Sequence, residues 1–389
     1  MSIGIPTLDP LGGGGVLRVT QFLTEDGTFP NQRVKALYNS QPWSKCYSVK
    51  NVLKGVSPPT RKEEKLKNVP GIRFPRYLPE SEALSYISNV TIWKEDLNDY
   101  EYILGAGGTC LPCLPAALSK LPFRCWVGTT IIDERDAQLH GYSGLKKWRY
   151  RIEKPLLVKY EKMIYQRAEK IYSQSKYTKG KIVEHYDINP NKIMKIPFPI
   201  DTAKFTMKDD IVDRNNPIIV YVGRTNDPRK NIELLIQSVK KLSFELNDVE
   251  LRIIGGELPD HLRRLATDLE IYDNIVEYGW VNDIIPHLQE ATAFILPSKQ
   301  EGLGIAALEA MSCGTPVIST YCGGPEDFIR NGRNGFLVNE EPGQIANAVF
   351  SVMNTTSLRT NARNTIKNKY DRDIVGDILR EEIKEWRPS

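Results

Sequence analysis

Two clusters of residues in this sequence carry the makings of a binding site for a sugar bearing phosphate. The first holds Glu301, Gly302, Leu303, Gly304, Ile305 and, one helical turn on, Glu309. Two glycines this close allow a tight turn and near approach of backbone to a ligand. A helix starting near Ile305 would offer free N–H groups and the positive end of its dipole, which favour phosphate. Carboxylates accept hydrogen bonds from hydroxyl groups, so Glu301 and Glu309, able to face one cleft, suit a polyol. The second cluster runs from Gly223 to Asn231 and contains Arg224 and Lys230. A guanidinium beside an ammonium, close to a helix start, is what a departing diphosphate requires. Either cluster alone also reads as a solvated loop with capping groups; both at the strand ends of one sheet favour the binding site.

The elements that must position these clusters are legible around them. Ile218–Val222, Leu251–Ile254, Ile275–Tyr278, Ala293–Leu296, Val317–Ser319 and Phe336–Val338 are short β-branched runs that predict buried strands. Between them, Ile232–Leu242, Leu262–Leu269 and Ile305–Met311 have the spacing of amphipathic helices. Strand and helix in alternation imply a parallel sheet covered on both faces, with ligands at the C-terminal strand ends. Gly314 and Pro316 end the helix after the first cluster. The first half is less regular: a glycine run at 12–15, a polar, Pro-rich stretch around 57–79, a strand at Tyr102–Leu104, and a basic helical segment from about Lys146 to Lys181. Prolines on both sides of Phe198 make 196–201 an extended linker, and the domain boundary is set there.

A chain of 389 residues is comfortable for two α/β domains. With 41% hydrophobic and 26% charged residues it reads as globular, not disordered. No stretch approaches a membrane span, and the first residues lack a signal-peptide pattern, so the expected location is the cytoplasm or the cytosolic face of a membrane. Six cysteines form no disulfide framework. Cys110 and Cys113 spell C-x-P-C, which reads either as a reactive redox pair or as two small apolar residues at a strand-to-helix turn; the second fits the rest of the chain.

The stretch Pro297 to Gly304, continuing through Glu309 to Ile318 with Gly323, Gly324, Glu326 and Asn334 to Val338, closely resembles family 4 of the glycosyltransferases, and Tyr221 to Lys230 matches the same family's diphosphate loop. The resemblance is specific across roughly 196–338 and thinner before it. It implies a GT-B fold: two Rossmann-like domains facing across a cleft, 1–198 for the acceptor and 199–370 for the donor, with a last helix (about 371–386) crossing back to the N-terminal domain. It further implies a retaining, metal-independent transfer of a hexose-type sugar from a nucleotide sugar, UDP-sugar being the commonest donor, with no cofactor. By resemblance, Glu301 holds the transferred sugar and Glu309 the ribose. Arg224 and Lys230 bind the diphosphate, assisted by backbone around Gly302, Leu303, Gly304 and Ile305. Trp280 and Val281 match the nucleobase contact, and Gly14 and Gly15 belong to the N-terminal glycine-rich loop.

One departure matters. Members of that family carry a His after a strand in the middle of the N-terminal domain, but 123–130 contains none. Thr129 or the more distant His140 stands in, or the role is unfilled. An unfilled role favours a donor-binding partner subunit without turnover; a sugar phosphorylase or nucleotide-sugar epimerase is the nearest enzymatic rival. Gly105 to Cys110 narrowly misses the dinucleotide fingerprint, which argues against a dehydrogenase. No metal site is expected from the scattered aspartates and isolated histidines. Finally, residues 144–181 hold twelve basic side chains against three acidic ones, interleaved with aromatic and aliphatic residues. That composition fits either a solvated helix face or attachment to an anionic membrane surface presenting a lipid-linked glycan; other glycans and protein remain as acceptors, and nucleic acid is not expected.

Overall fold

The computed structural model describes residues 2–8, 14–25, 27–39, 48–54, 61–66, 68–77, 81–88, 90–139, 142, 144–208, 216–246 and 248–387. The chain divides into two compact units, one of residues 1–135, 143–199 and 373–389, the other of residues 136–142 and 200–372.

The first unit is built on eight strands: β1 (Ser2–Thr7), β2 (Arg33–Asn39), β3 (Lys62–Leu66), β4 (Val69–Phe74), β5 (Tyr102–Gly107), β6 (Arg124–Val127), β7 (Lys170–Ser173) and β8 (Ile193–Lys195). Their order is β3-β4-β2-β1-β5-β6-β7-β8, parallel except for the edge hairpin β3–β4. The second has six: β9 (Ile218–Val222), β10 (Glu250–Ile254), β11 (Ile275–Gly279), β12 (Ala293–Leu296), β13 (Val317–Thr320) and β14 (Gly335–Val338). They run β11-β10-β9-β12-β13-β14, all parallel. Each of the six β-branched runs in the second half is thus a strand. The helix Ile232–Leu242 packs its apolar side, Leu235, Ile236, Val239 and Leu242, into that unit's core.

The basic segment 146–181 is not one helix. The helix Gly144–Arg167 stops, β7 passes through the interior with Ile171 and Tyr172 fully buried, and a second helix, Lys176–Tyr186, starts from the Ser175 N-cap. Lysines flank the strand on both sides and hide the change of period.

The last helix, Arg372–Lys384, belongs to the first unit. Its Glu382 is the hub of a half-buried network: Lys170 Nζ donates at 2.6 Å, Tyr172 Oη at 3.0 Å, and Arg124 lies at 3.3 Å. Trp386 follows, buried edge-on against Tyr102 with Arg124 over its ring at 4.5 Å.

Cys110 and Cys113 are buried free thiols. Burial and the neighbouring Glu161 push Cys110 well up; the Cys125 thiol and burial do the same to Cys113. Thiols held protonated are poor nucleophiles, so the apolar alternative is the one that holds.

Glu161, on the helix Gly144–Arg167, is a fully buried carboxyl. It accepts hydrogen bonds from Ile131 N (2.8 Å), Tyr165 Oη (2.9 Å) and Tyr186 Oη. Ile131 opens the helix that follows β6, so the carboxyl caps that helix start from across the core. Burial pushes its pKa up to about 8 against the pull of Tyr186, Ile131 and Tyr165. An acid whose folded pKa lies above its unfolded value binds more protons when folded, so stability falls as pH rises between the two. The window here runs from 4.5 to about 8. Urea unfolding across pH 5 to 8 should lose on the order of a few kcal/mol through this group, and Glu161→Gln should flatten the slope. An unchanged slope in the variant would assign the pH dependence to other groups.

Candidate functional site

In the second sheet β9 lies between β10 and β12, so the chain leaves β9 in one direction and returns on its other side. This is a topological switch point, where the loops after neighbouring strands diverge and leave a crevice at the C-terminal strand ends. The loops after β9 and β12 are the two clusters singled out above. Parallel pairing sets Ala293 beside Ile219 and Phe294 beside Val220.

After β9, the short 3₁₀ turn Pro228–Lys230 starts at Asp227, whose carboxylate accepts from Arg229 N at 3.1 Å. Asn231, at φ 50°, then turns the chain into the helix Ile232–Leu242. Asp227 also takes a fork from Arg229, Nε at 3.1 Å and Nη2 at 2.7 Å, and lies 3.2 Å from Arg224 Nη2. Burial raises the Asp227 carboxyl, but hydrogen bonds and charge from Arg229 outweigh it and leave the pKa below the ordinary value. Asp227 is therefore a fixed anion between two arginines. Arg229 is mostly buried, whereas the Arg224 side chain is 65% exposed, held at one end and open to a ligand.

After β12, Ser298 Oγ donates to Glu301 Oε1 at 2.8 Å. The same oxygen takes Lys230 Nζ at 2.5 Å, with both side chains largely shielded from water. Lys299 N donates to Arg229 O at 2.8 Å and ties the two loops together by backbone. Gly304, at φ 85°, is the left-handed residue that admits the chain to the helix Ile305–Ser312. That conformation favours glycine, and it aims the first N–H groups of the helix at the crevice. A third loop, after β13, supports the second. Glu301 N donates to Cys322 O at 2.8 Å, and Gly324 N to Glu301 O at 2.9 Å. A Cβ at Gly324 would overlap the Leu303 backbone, so only glycine permits this approach. Leu303 is buried, with its backbone packed against Gly324. Glu309 is buried on the helix Ile305–Ser312, while Glu301 meets Lys230.

The structure thus brings Arg224, Lys230, Glu301, Gly302, Gly304 and Ile305 to two adjoining strand ends. Trp280 and Val281 lie at the end of β11, two strands from β9, and the Trp280 side chain is 74% exposed. Gly14 and Gly15 open the helix after β1 in the first unit, Gly14 at φ 62°. Thr129 lies there too, past the end of β6, its N–H on Gly108 O at 2.8 Å. His140 falls outside the described residues. Asp227, Arg229 and Ser298 were missed as contributors, although Asp before Pro is a readable turn signal and Ser298 precedes Glu301 by one turn. Among the described residues no three His, Cys, Asp or Glu side chains gather as metal ligands, and no helix is long and apolar enough to cross a membrane.

Residues 216–355, which hold both clusters, match the sequence profile of the family described as "Glycosyl transferases group 1". The chain is 33% identical over 186 residues to the lipopolysaccharide core biosynthesis glycosyltransferase LpsE of Rhizobium meliloti, covering 47% of this chain and 51% of that protein. It is 32% identical over 202 residues to an Escherichia coli UDP-Gal:alpha-D-GlcNAc-diphosphoundecaprenol alpha-1,3-galactosyltransferase, covering 47% and 52%. The chain therefore spans about half the length of the curated relatives it matches. In fold it is similar to Anabaena HepE, solved in complex with UDP, with a TM-score of 0.75 at 16% identity, covering 99% of this chain and all of that one. Residues 216–355 belong to the group 1 glycosyl transferases, in a chain whose two parallel-sheet units have the GT-B fold.

Proposed function

We propose that this chain is a retaining, metal-independent glycosyltransferase that moves a hexose-type sugar from a UDP-sugar to a hydroxyl of a lipid-linked acceptor, working at an anionic membrane surface. The observation that carries this is the Lys230–Glu301 pair, which sets a cation and a carboxylate on adjoining strand ends at the switch point. The cation suits the diphosphate and the carboxylate suits the sugar hydroxyls, so one pair addresses both halves of the donor. Arg224, steadied by Asp227, adds a second cation on the diphosphate. N–H groups at Gly302, Gly304 and Ile305 complete the anion site, with Glu309 for the ribose and Trp280 and Val281 for the base. UDP in HepE and the UDP-Gal donor and diphosphoundecaprenol acceptor in the name of the Escherichia coli relative support this donor and acceptor class. Gly14 and Gly15 are assigned to the loop that approaches the donor phosphate and the acceptor, and Thr129 to the place of the absent histidine beside the donor sugar.

In the proposed reaction the bond from the anomeric carbon to the diphosphate breaks as the acceptor oxygen bonds to the same face. The acceptor proton passes to the departing phosphate oxygen. Arg224 and Lys230 stabilise the charge gathering on that phosphate, so the protein needs no covalent nucleophile.

Lys230→Ala and Arg224→Ala should each lower kcat/KM by about 10²- to 10³-fold and weaken UDP binding by calorimetry. Near-normal turnover in either would remove the diphosphate assignment. Glu301→Ala should cut turnover comparably while UDP binds as tightly as before or more tightly, because Lys230 is released from its partner. If affinity for UDP and UDP-sugar fell together, Glu301 would be structural. EDTA should leave initial rates unchanged, since fixed cations do the work that Mg²⁺ does elsewhere; inhibition reversed by a divalent ion would contradict this.

A further inference from the structure

The helix Gly144–Arg167 has apolar residues on two opposite sides. At about 100° per residue, Leu157, Ile164 and Tyr165 share the side packed into the first unit's core. Leu145, Trp148, Ile152 and Leu156 fall within an arc of about 80° on the other side. They are 86%, 64%, 58% and 38% exposed. One exposed Leu is ordinary, but four in a continuous stripe mark a contact surface.

The stripe has a charged border of one sign. Arg149 flanks it on one edge and Arg151 on the other, both exposed, and exposed Lys159 continues its line. The helix has two carboxylates, and neither lies on this border: Glu161 is buried, and Glu153 accepts from Ser81 Oγ at 2.7 Å. A second copy docking here would set the Arg149 and Arg151 borders against their own copies, because a twofold contact repeats one patch on both sides. A layer that is apolar within and negative at its face meets both features.

We propose that Leu145, Trp148 and Ile152 insert into the headgroup boundary of an anionic bilayer, with Leu156 at the margin and Arg149, Arg151 and Lys159 on the lipid phosphates. Such a helix lies in the plane of the interface with its apolar face about 5–10 Å deep. This deepens the membrane part of the proposed function: of the whole segment 144–181, only the outward side of the first helix is the contact. Leu157 and Ile164 face the core, and β7 is interior.

Cosedimentation with vesicles tests it, using phosphatidylcholine alone and phosphatidylcholine mixed with phosphatidylglycerol. The full chain should bind the mixed vesicles and not the neutral ones. Combining Leu145→Ser, Trp148→Ser and Ile152→Ser should lower the partition coefficient on the order of 30-fold or more. Arg149→Gln with Arg151→Gln should lower it roughly 30-fold, a loss that raised salt reproduces in the wild type. Both variants should keep the wild-type melting temperature and UDP affinity, which separates lipid binding from folding and from the donor site. Three results overturn the proposal: wild-type protein left in the supernatant at low salt, serine variants that bind as well as wild type, or self-association lost in the serine variants without vesicle binding. Absence of sugar transfer with vesicle binding intact would count against the proposed reaction alone.

Discussion

The register of β9 against β12 is the constraint on which the candidate site depends. Because Ile219 lies beside Ala293 and Val220 beside Phe294, the loops after the two strands begin at one level and turn apart. A slip of one residue would send each buried side chain to the opposite face of the sheet. Both strands are buried on both sides, so the core resists such a slip. Lys230 and Glu301 are 71 residues apart in sequence, yet they meet because two strand ends deliver them. The Lys299–Arg229 backbone hydrogen bond then fixes the loops to each other.

Holding opposite charges in this crevice has a cost that the local structure offsets. A shielded carboxylate or ammonium loses its water, and only good geometry with further hydrogen bonds compensates. Glu301 has Ser298 besides Lys230, and Asp227 has a guanidinium fork and a backbone N–H. These partners hold the two carboxylates in place before any ligand arrives. Preorganised charge is worth more to a reaction than charge that must first rearrange, since reorganisation then adds nothing to the barrier. Arg224 differs: Asp227 holds one end and the rest extends into solvent. The site thus combines a shielded cation, Lys230, with an exposed one, Arg224.

How much of this was legible in the sequence follows from burial. Strands β9, β12 and β13 are buried on both faces and β11 on one, and they appear as short β-branched runs between turn signals. Both loops stood out because glycines, carboxylates and cations cluster within a few residues. The first unit was harder. Its edge strand β3 reads Lys-Glu-Glu-Lys-Leu and carries no apolar run, as an exposed edge should. Strand β7 lay hidden in a basic stretch whose charges belong to the helices on either side. What no local pattern reveals is pairing at a distance: Glu382 with Lys170, Glu301 with Lys230, and Glu161 with Ile131 each join residues that only the fold brings together.

Glu161 carries a buried carboxyl because three buried donors converge on it. Its carboxyl receives the first N–H of the helix after β6, a donor with no partner in its own helix. A leucine there would leave that N–H and two buried tyrosine hydroxyls unsatisfied, and each carries a desolvation penalty of about 1–3 kcal/mol. The carboxyl therefore acts as a buried cap, fixing where the turn at 128–130 ends and the helix Ile131–Leu139 begins. That turn lies within 123–130, the stretch that holds no histidine, and it carries Thr129. With its far end pinned from the core by Glu161, the turn presents Thr129 from a fixed backbone. Nearby, Thr130 Oγ1 accepts from Asp133 N at 3.2 Å and donates to Asp133 Oδ2 at 2.6 Å, so the start of the same helix is capped from both sides. The local framework of the turn is thus set independently of the side chain that occupies position 129.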